Sequence, residues 1–172
     1  MRSDSRATGL GVDTPVRAVP DVPTLRRMTS IDARGPRFGA AITAAVLATA
    51  LIAGPGALGT ALIAFQTLVF AIGAIAGPKS QPYGRIYVAL VQPRLRGPIP
   101  FEDAAPPRFA QTVGLVCALI ALAGAVLSVS WMFTVAAAIA LGAAFLNAVF
   151  DFCLGCEMYL LLQRAGLKRT GS

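Results

Sequence analysis

The sequence predicts an all-α integral membrane protein with four transmembrane helices. Two observations lead to this fold class: four long apolar stretches, and basic residues confined to the segments outside them. The stretches cover about residues 37–54, 57–77, 109–128 and 131–152. Each holds about 18–21 residues, and at about 1.5 Å per residue such a helix crosses a hydrocarbon core of about 30 Å.

The composition excludes an ordinary soluble domain. Hydrophobic residues make up 56% of the 172 residues and charged residues only 13%, whereas a soluble domain carries about 25% charged residues. Four buried core helices would leave too little polar chain to cover them. The net charge of +7 is therefore interpreted as a topology signal that also attracts anionic lipid headgroups, and no nucleic-acid partner is expected.

The basic residues predict the orientation of the four spans. All 15 of them fall in three blocks, within residues 2–37, 79–108 and 164–169. The two tight connections, at residues 54–56 and 128–130, carry no charge. Because positive residues favour the cytoplasmic side, both termini are expected in the cytoplasm. The preference for Arg, Ala and Gly suggests a bacterial source, and hence the inner (plasma) membrane.

The chain divides into three regions. Residues 1–30 mix Arg, Asp, Pro, Ser and Thr without the apolar core of a signal peptide, so they are interpreted as a disordered cytoplasmic tail. Residues 31–165 form the membrane domain, and residues 166–172 a basic C-terminal tail.

The first and second halves of the membrane domain share a motif. Pro36-Arg37-Phe38 opens the first span, and Pro107-Arg108-Phe109 opens the third, 71 residues later. Proline suits the first turn of a helix, where no backbone donor is needed. The repeat predicts two helix pairs that run in parallel, and the same separation places Gly84 on Gly155.

Two segments near the membrane surface are predicted to be helical without crossing. Residues 82–95 form a short interfacial helix after the second span, with Tyr83 and Tyr87 at the interface, followed by a polar loop over residues 96–107. The helical pattern of the fourth span continues to about Gln163, and we expect it to bend near Gly155.

Four polar residues within or at the end of the spans are interpreted as interhelical contacts, because hydrocarbon offers no water to amides. They are Gln66, Gln111, Asn147 and Asp151. A translocation path lined by the amides is the alternative. Asp151 is expected to pair with Arg37 or Arg108. Both arginines serve as membrane anchors, and beside helix N-termini they are also candidates for binding an anion or a lipid headgroup.

The candidate chemical motif is Cys153-Leu154-Gly155-Cys156. Cysteines at positions i and i+3 of a helix lie on one face, within reach of a disulfide. At a cytoplasmic interface such a pair favours a redox role over a permanent disulfide. A position near a helix C-terminus, beside Asp151 and Glu157, would disfavour the thiolate. Packing of small apolar residues remains the alternative, and Cys117 is interpreted as packing alone.

No resident metal or other cofactor is expected. Two cysteines are too few for zinc, and the sequence contains no histidine, so only a dimer contributing two pairs could complete four ligands. The sequence has no nucleotide-binding loop, no Ser/His/Asp set and no paired intramembrane carboxylates. An ordinary hydrolase, kinase or ion pump is therefore without support, and an enzymatic activity is not the favoured interpretation.

Three segments resemble a known family. IDARGPRFGAAITA, APPRFAQTVGLV and FCLGCEMY are similar to the bacterial membrane family catalogued as domain of unknown function 4395, over about residues 31–165. The resemblance implies a four-helix architecture and no particular activity. Members often accompany thioredoxin-like or sulfurtransferase proteins, which favours a thiol role for the cysteine pair.

Three functional interpretations follow. The first is thiol/disulfide chemistry or sulfur transfer at the cytoplasmic face, through Cys153 and Cys156, with a thioredoxin-like or sulfurtransferase partner. The second is a non-catalytic membrane subunit or scaffold that binds a cytoplasmic partner. The third is a small-solute transporter, weakened by the absence of intramembrane charge and of a broken helix. The bilayer surrounds the chain in each case, and a homo-oligomer is compatible with all three.

Overall fold

The computed structural model describes residues 30–96 and 100–169. The tail expected to be disordered falls almost wholly outside these residues. Strand β1 covers Ser30–Asp32, and helices α1 and α2 cover Arg34–Ala53 and Ala57–Ala76. A short helix α3, Pro82–Ile86, continues as a π-helical turn at Tyr87–Val91 and a 3-10 turn at Gln92–Arg94. The remaining elements are β2 (Phe101–Asp103), α4 (Ala105–Val126), α5 (Ser130–Phe150) and α6 (Leu154–Arg169).

Four of the helices are long and apolar enough to cross a membrane, by length and composition: α1, α2, α4 and α5. They begin and end within a few residues of the predicted spans. The all-α fold class is therefore confirmed. The structure adds an antiparallel ribbon between β1 and β2, in which Ser30 faces Asp103 and Asp32 faces Phe101. The sequence analysis missed this ribbon because three-residue strands carry no periodic signal.

The four long helices form a closed bundle. Helix α1 packs on α2 and α5, and α4 packs on α2 and α5. Leu47, Ile63 and Phe133 are fully buried at its centre. A Cβ on Gly124 would lie 2.5 Å from the backbone nitrogen of Phe133, so this glycine lets α4 and α5 approach closely. Large apolar side chains such as Ile52 and Leu68 remain exposed on the outside, as expected of a surface that faces lipid.

The two ends of the bundle differ. At one end, short turns at residues 54–56 and 127–129 join the helices of each pair. At the other end lie the ribbon, the α3 segment and α6. The α3 segment packs on α1, and α6 packs on α4. The cysteine pair, Asp32, Arg37 and Arg108 all lie at this second end.

Candidate functional site

The fourth span ends earlier than the sequence predicted. Asp151 adopts the left-handed conformation, with φ 57° and ψ 28°, and its backbone N–H bonds the carbonyl oxygen of Leu146. Phe152 N–H bonds the same oxygen at 3.3 Å. Aspartate is one of the few residues other than glycine that tolerate this conformation. The helix therefore breaks at residues 151–153, just before the predicted bend near Gly155.

This break changes the surroundings of the cysteine pair. The carbonyl oxygen of Cys153 accepts the N–H of Glu157 at 3.0 Å, which makes Cys153 the N-cap residue of α6. Its Sγ accepts the backbone N–H of Cys156 at 3.3 Å. The pair lies at a helix N-terminus, and the expected position near a C-terminus is wrong. Helix N-termini stabilise negative charge, including that of a thiolate.

The two cysteines are joined in a disulfide, with Cα atoms 5.2 Å apart. Both residues are partly exposed. Cys117 is the free cysteine among the described residues, and it lies within α4. The pair therefore combines partial exposure with a Cα separation inside the range that disulfides adopt.

Helix α6 is fixed to α4 by two contacts. A Cβ on Gly155 would lie 2.6 Å from the Cα of Ala110, so only glycine permits this approach. The rings of Phe109 and Tyr159 pack with centroids 5.7 Å apart, tilted by 46°. These contacts hold the start of α6, and with it the cysteine pair, against the bundle.

A cavity of about 220 Å³ extends from the pair into the bundle. Its lining is mainly small and apolar, and the polar residues in it are Thr43, Gln111, Asn147 and the cysteines Cys117 and Cys153. Asn147 makes no hydrogen bond to another described residue, whereas Gln111 Oε1 accepts the amide of Gln81 at 3.1 Å. The cavity brings Cys153, Asn147 and Gln111 together.

Gln66 lies apart from that cavity, in a buried hydrogen-bonded cluster. Its Nε2 donates to Thr43 Oγ1 at 3.3 Å, and its Oε1 accepts the Tyr83 hydroxyl at 3.0 Å. The Tyr83 ring lies 6.5 Å from that of Phe65. Burial raises the pKa of Tyr83 to about 12. This cluster ties α1, α2 and the α3 segment together.

Arg37 and Arg108 both bind backbone carbonyl groups. Arg37 donates from Nε to Ala148 at 3.0 Å and from a terminal nitrogen to Val149 at 3.3 Å. Arg108 donates to Ala74 at 2.8 Å and to Ile75 at 2.7 Å. Each guanidinium thus satisfies carbonyl groups that a helix end leaves unpaired. In the described chain neither arginine forms the expected ion pair with Asp151, whose side chain is exposed.

Asp32 accepts hydrogen bonds from the α3 segment and from Arg34, a role that no sequence pattern predicted. Its Oδ2 accepts the Tyr87 hydroxyl at 2.8 Å and the Gln92 amide at 3.1 Å, and its Oδ1 accepts the Arg34 N–H at 3.0 Å. Burial and this carboxylate raise the pKa of Tyr87 to about 12. Both tyrosines are buried; they anchor the segment to the bundle.

Asp32 and its partners Tyr87 and Gln92 line a second cavity, of about 520 Å³. It lies between the ribbon, the α3 segment and the first turns of α1 and α4. Pro36, Pro107 and Gln111 line both cavities. The sequence signals for this surface were the two prolines that open the spans, the predicted interfacial helix with Tyr87, and Gln111.

Comparison with known proteins identifies one family. The family model described as Domain of unknown function (DUF4395) matches residues 31–164, which is most of the chain. The chain therefore belongs to this family. No curated protein and no solved structure matches.

Proposed function

We propose that this member of the DUF4395 family carries out thiol–disulfide exchange in the membrane through Cys153 and Cys156. The observation that carries the proposal is the position of Cys153 at the start of a sixteen-residue helix, with its Sγ accepting the N–H of Cys156. A sulfur in this place is favoured as a thiolate, which is the reactive form.

The proposed exchange conserves electrons and protons. A thiolate of a thioredoxin-like partner attacks one sulfur, breaks the Cys153–Cys156 bond and forms a mixed disulfide. The second partner thiol then attacks that bond, so the partner leaves oxidised and both cysteines are left reduced, with protons taken from the partner's thiols. The reverse sequence oxidises the pair. Sulfur transfer would use the same two sulfurs, but nothing at the site favours it over exchange.

Two further parts of the proposal are an internal repeat and an orientation in the membrane, and both are supported by the arginines. Arg37 and Arg108 make matching contacts with opposite helix pairs, which favours an internal repeat of two parallel helix pairs. The ribbon, the α3 segment and the cysteine pair share one end of the bundle with the basic residues Arg37, Arg85 and Arg108. The positive-inside rule then assigns this end to the cytoplasm, with both termini on that side.

A redox titration of the purified full-length chain in lipid nanodiscs tests the exchange. After equilibration in buffers of graded reduced and oxidised dithiothreitol, maleimide labelling and mass spectrometry count the free thiols. We expect two thiols to appear in one step, with reduced thioredoxin producing the same change. Cys117→Ser is the matched control and should keep this step, whereas Cys153→Ser and Cys156→Ser should each abolish it.

A pair that resists both reductants while the chain stays folded would contradict the proposal. The cysteines would then be structural. The alternative interpretation, a scaffold that binds a cytoplasmic partner, would take its place.

A further inference from the structure

Two ring contacts show which residues correspond between the two halves of the chain. Phe38, near the start of α1, packs on Tyr87 with centroids 5.7 Å apart and a tilt of 45°. Phe109, near the start of α4, packs on Tyr159 at 5.7 Å and 46°. Tyr87 and Tyr159 therefore occupy matching positions. Four residues earlier, Tyr83 matches Gly155, one residue away from the predicted match of Gly84 with Gly155.

The arginine contacts extend this correspondence into the bundle. Arg37 holds Ala148 and Val149, and Arg108 holds Ala74 and Ile75, in each case the two residues before the last one of the helix. Counting back from these ends matches Phe65 with Ile139 and Gln66 with Ala140. The two Pro-Arg-Phe motifs match Thr43 with Gly114.

The matched positions are filled in one half and open in the other. In the first half the Tyr83 ring lies beside Phe65 and is bonded to Gln66, which is bonded to Thr43. Their counterparts in the second half are small or aliphatic residues: Ile139, Ala140, Gly114 and Gly155. All four line the cavity of about 220 Å³. The cavity thus occupies the position in the second half that corresponds to the Tyr83 phenol ring and the Gln66 amide in the first half.

We propose that this cavity binds the ring of a lipid-soluble quinone, which accepts two electrons from the reduced Cys153–Cys156 pair. This inference rests on the proposed exchange function and names its membrane-borne oxidant. An apolar protein cavity of about 150 Å³ binds benzene, so a cavity of about 220 Å³ accommodates a single substituted ring.

The polar groups of the cavity suit a quinone. The Asn147 side chain makes no hydrogen bond to a described residue. Gln111 Oε1 accepts the Gln81 amide, and its Nε2 donates to no described residue. Amide N–H groups donate to carbonyl oxygens, as a quinone requires, and amide oxygens accept from the hydroxyls of the hydroquinone. The Gln66–Tyr83 bond is the same interaction within the chain.

The reaction balances without a further reagent. The two thiols lose two electrons and two protons as the S–S bond forms. The quinone takes up the same two electrons and two protons, one proton on each oxygen, and leaves as hydroquinone. Cys153 lines the cavity and Cys156 does not, so Cys153 is the cysteine nearer to the proposed ring.

The test uses the full-length chain in nanodiscs, reduced with dithiothreitol and then freed of it. A fully substituted benzoquinone with a decyl tail is added, because a ring without open positions does not form thiol adducts. Loss of the quinone absorbance and loss of maleimide-reactive thiols are followed together. We expect one quinone reduced for every two thiols lost, and no reduction by the Cys153→Ser chain.

Cavity-filling variants separate this inference from the exchange function. Ala144 lines the cavity and Ala138, on the same helix, is exposed. Ala144→Leu should slow quinone reduction at least about tenfold, a loss equivalent to about 1.4 kcal/mol, whereas Ala138→Leu should not. Asn147→Ala should raise the quinone concentration needed for half the maximal rate. All three variants should keep the dithiothreitol titration of the parent chain.

Two results would overturn the inference. If the disulfide is reduced by dithiothreitol but its thiols never reduce quinone, the quinone site is disproved and the exchange function is retained. Equal slowing by Ala144→Leu and Ala138→Leu would show that the ring reacts elsewhere. Failure of both the titration and the quinone reaction would instead remove the exchange function itself.

Discussion

Arg37 and Arg108 bind the ends of helices in each other's half of the chain. Arg37 of α1 donates to Ala148 and Val149 of α5, and Arg108 of α4 donates to Ala74 and Ile75 of α2. A planar guanidinium with several donors can bond two neighbouring carbonyl oxygens at once. The two contacts therefore connect the first helix pair to the second on both sides of the bundle.

Loss of either guanidinium should loosen this connection. We expect Arg37→Gln and Arg108→Gln each to lower the free energy of unfolding by about 1–2 kcal/mol, because a hydrogen bond from a charged donor is worth about 1.5–3 kcal/mol and these side chains are exposed. Thermal unfolding in detergent measures the effect. Arg85→Gln is the control, since the Arg85 guanidinium is exposed and donates no hydrogen bond to a described residue. An equal loss in all three variants would point to net charge instead of carbonyl binding.

Removal of the Tyr83 hydroxyl should leave a buried amide without one of its partners. In Tyr83→Phe the Oε1 of Gln66, which is fully buried, loses its donor. The expected cost is about 1–3 kcal/mol. Adding Gln66→Leu removes the unsatisfied amide, so the second change should cost less in the Tyr83→Phe chain than in the parent. A double-mutant cycle of unfolding free energies measures this difference, and strict additivity would argue against the cluster.

Alkaline pH should destabilise the attachment of the α3 segment. The pKa values of Tyr83 and Tyr87 are raised from 10.0 to about 12. Above pH 10.0 the unfolded chain releases these protons while the folded chain keeps them until about pH 12. The folded state then binds more protons, so stability is full below the unfolded value and falls as pH rises between the two.

Unfolding midpoints measured from about pH 8 to about pH 12 would show this loss. A chain carrying Tyr83→Phe and Tyr87→Phe starts less stable but lacks both titrating groups. Its stability should therefore fall less steeply over the same range. Parallel curves for the two chains would assign the alkaline loss to other groups.

A methyl group at residue 155 should push α6 away from α4. The added Cβ of Gly155→Ala would lie 2.6 Å from the Cα of Ala110, and backbone atoms cannot yield as a flexible side chain does. We expect destabilisation of about 1–3 kcal/mol and faster protease cleavage of α6. Gly142→Ala is the matched control: nothing lies within 4 Å of its added Cβ, so it should be neutral or slightly stabilising.

The orientation of the bundle is testable by labelling intact cells. Cysteines placed at Gly56 and Ser130, in a chain whose native cysteines are replaced by serine, should react with an impermeant maleimide. Cysteines placed at Ser5 and Ser172 should react only after lysis. The reverse pattern would place the cysteine pair on the outer face and overturn the assignment of both termini to the cytoplasm.

The long helices were predictable because membrane spanning imposes a minimum length and an apolar composition, both of which a sequence displays directly. Residues that act through precise contacts were harder to predict. Asp151 was expected to form an ion pair, yet its backbone conformation ends a helix. Asp32 belongs to a three-residue strand whose partner lies about 70 residues away, and local patterns carry no information on such pairing. The cysteine pair was visible as a motif, but its place at a helix start depended on the exact position of the break, at residues 151–153 instead of at Gly155.

The two-stranded ribbon of β1 and β2 also has a consequence for how the chain is made. Strand β1 directly precedes α1, and β2 directly precedes α4, so the ribbon fixes the starts of both helices at one height. During synthesis α1 and α2 are complete before β2 leaves the ribosome. The first helix pair is therefore made before its ribbon partner exists, and pairing of β2 with β1 then brings the starts of α1 and α4 together.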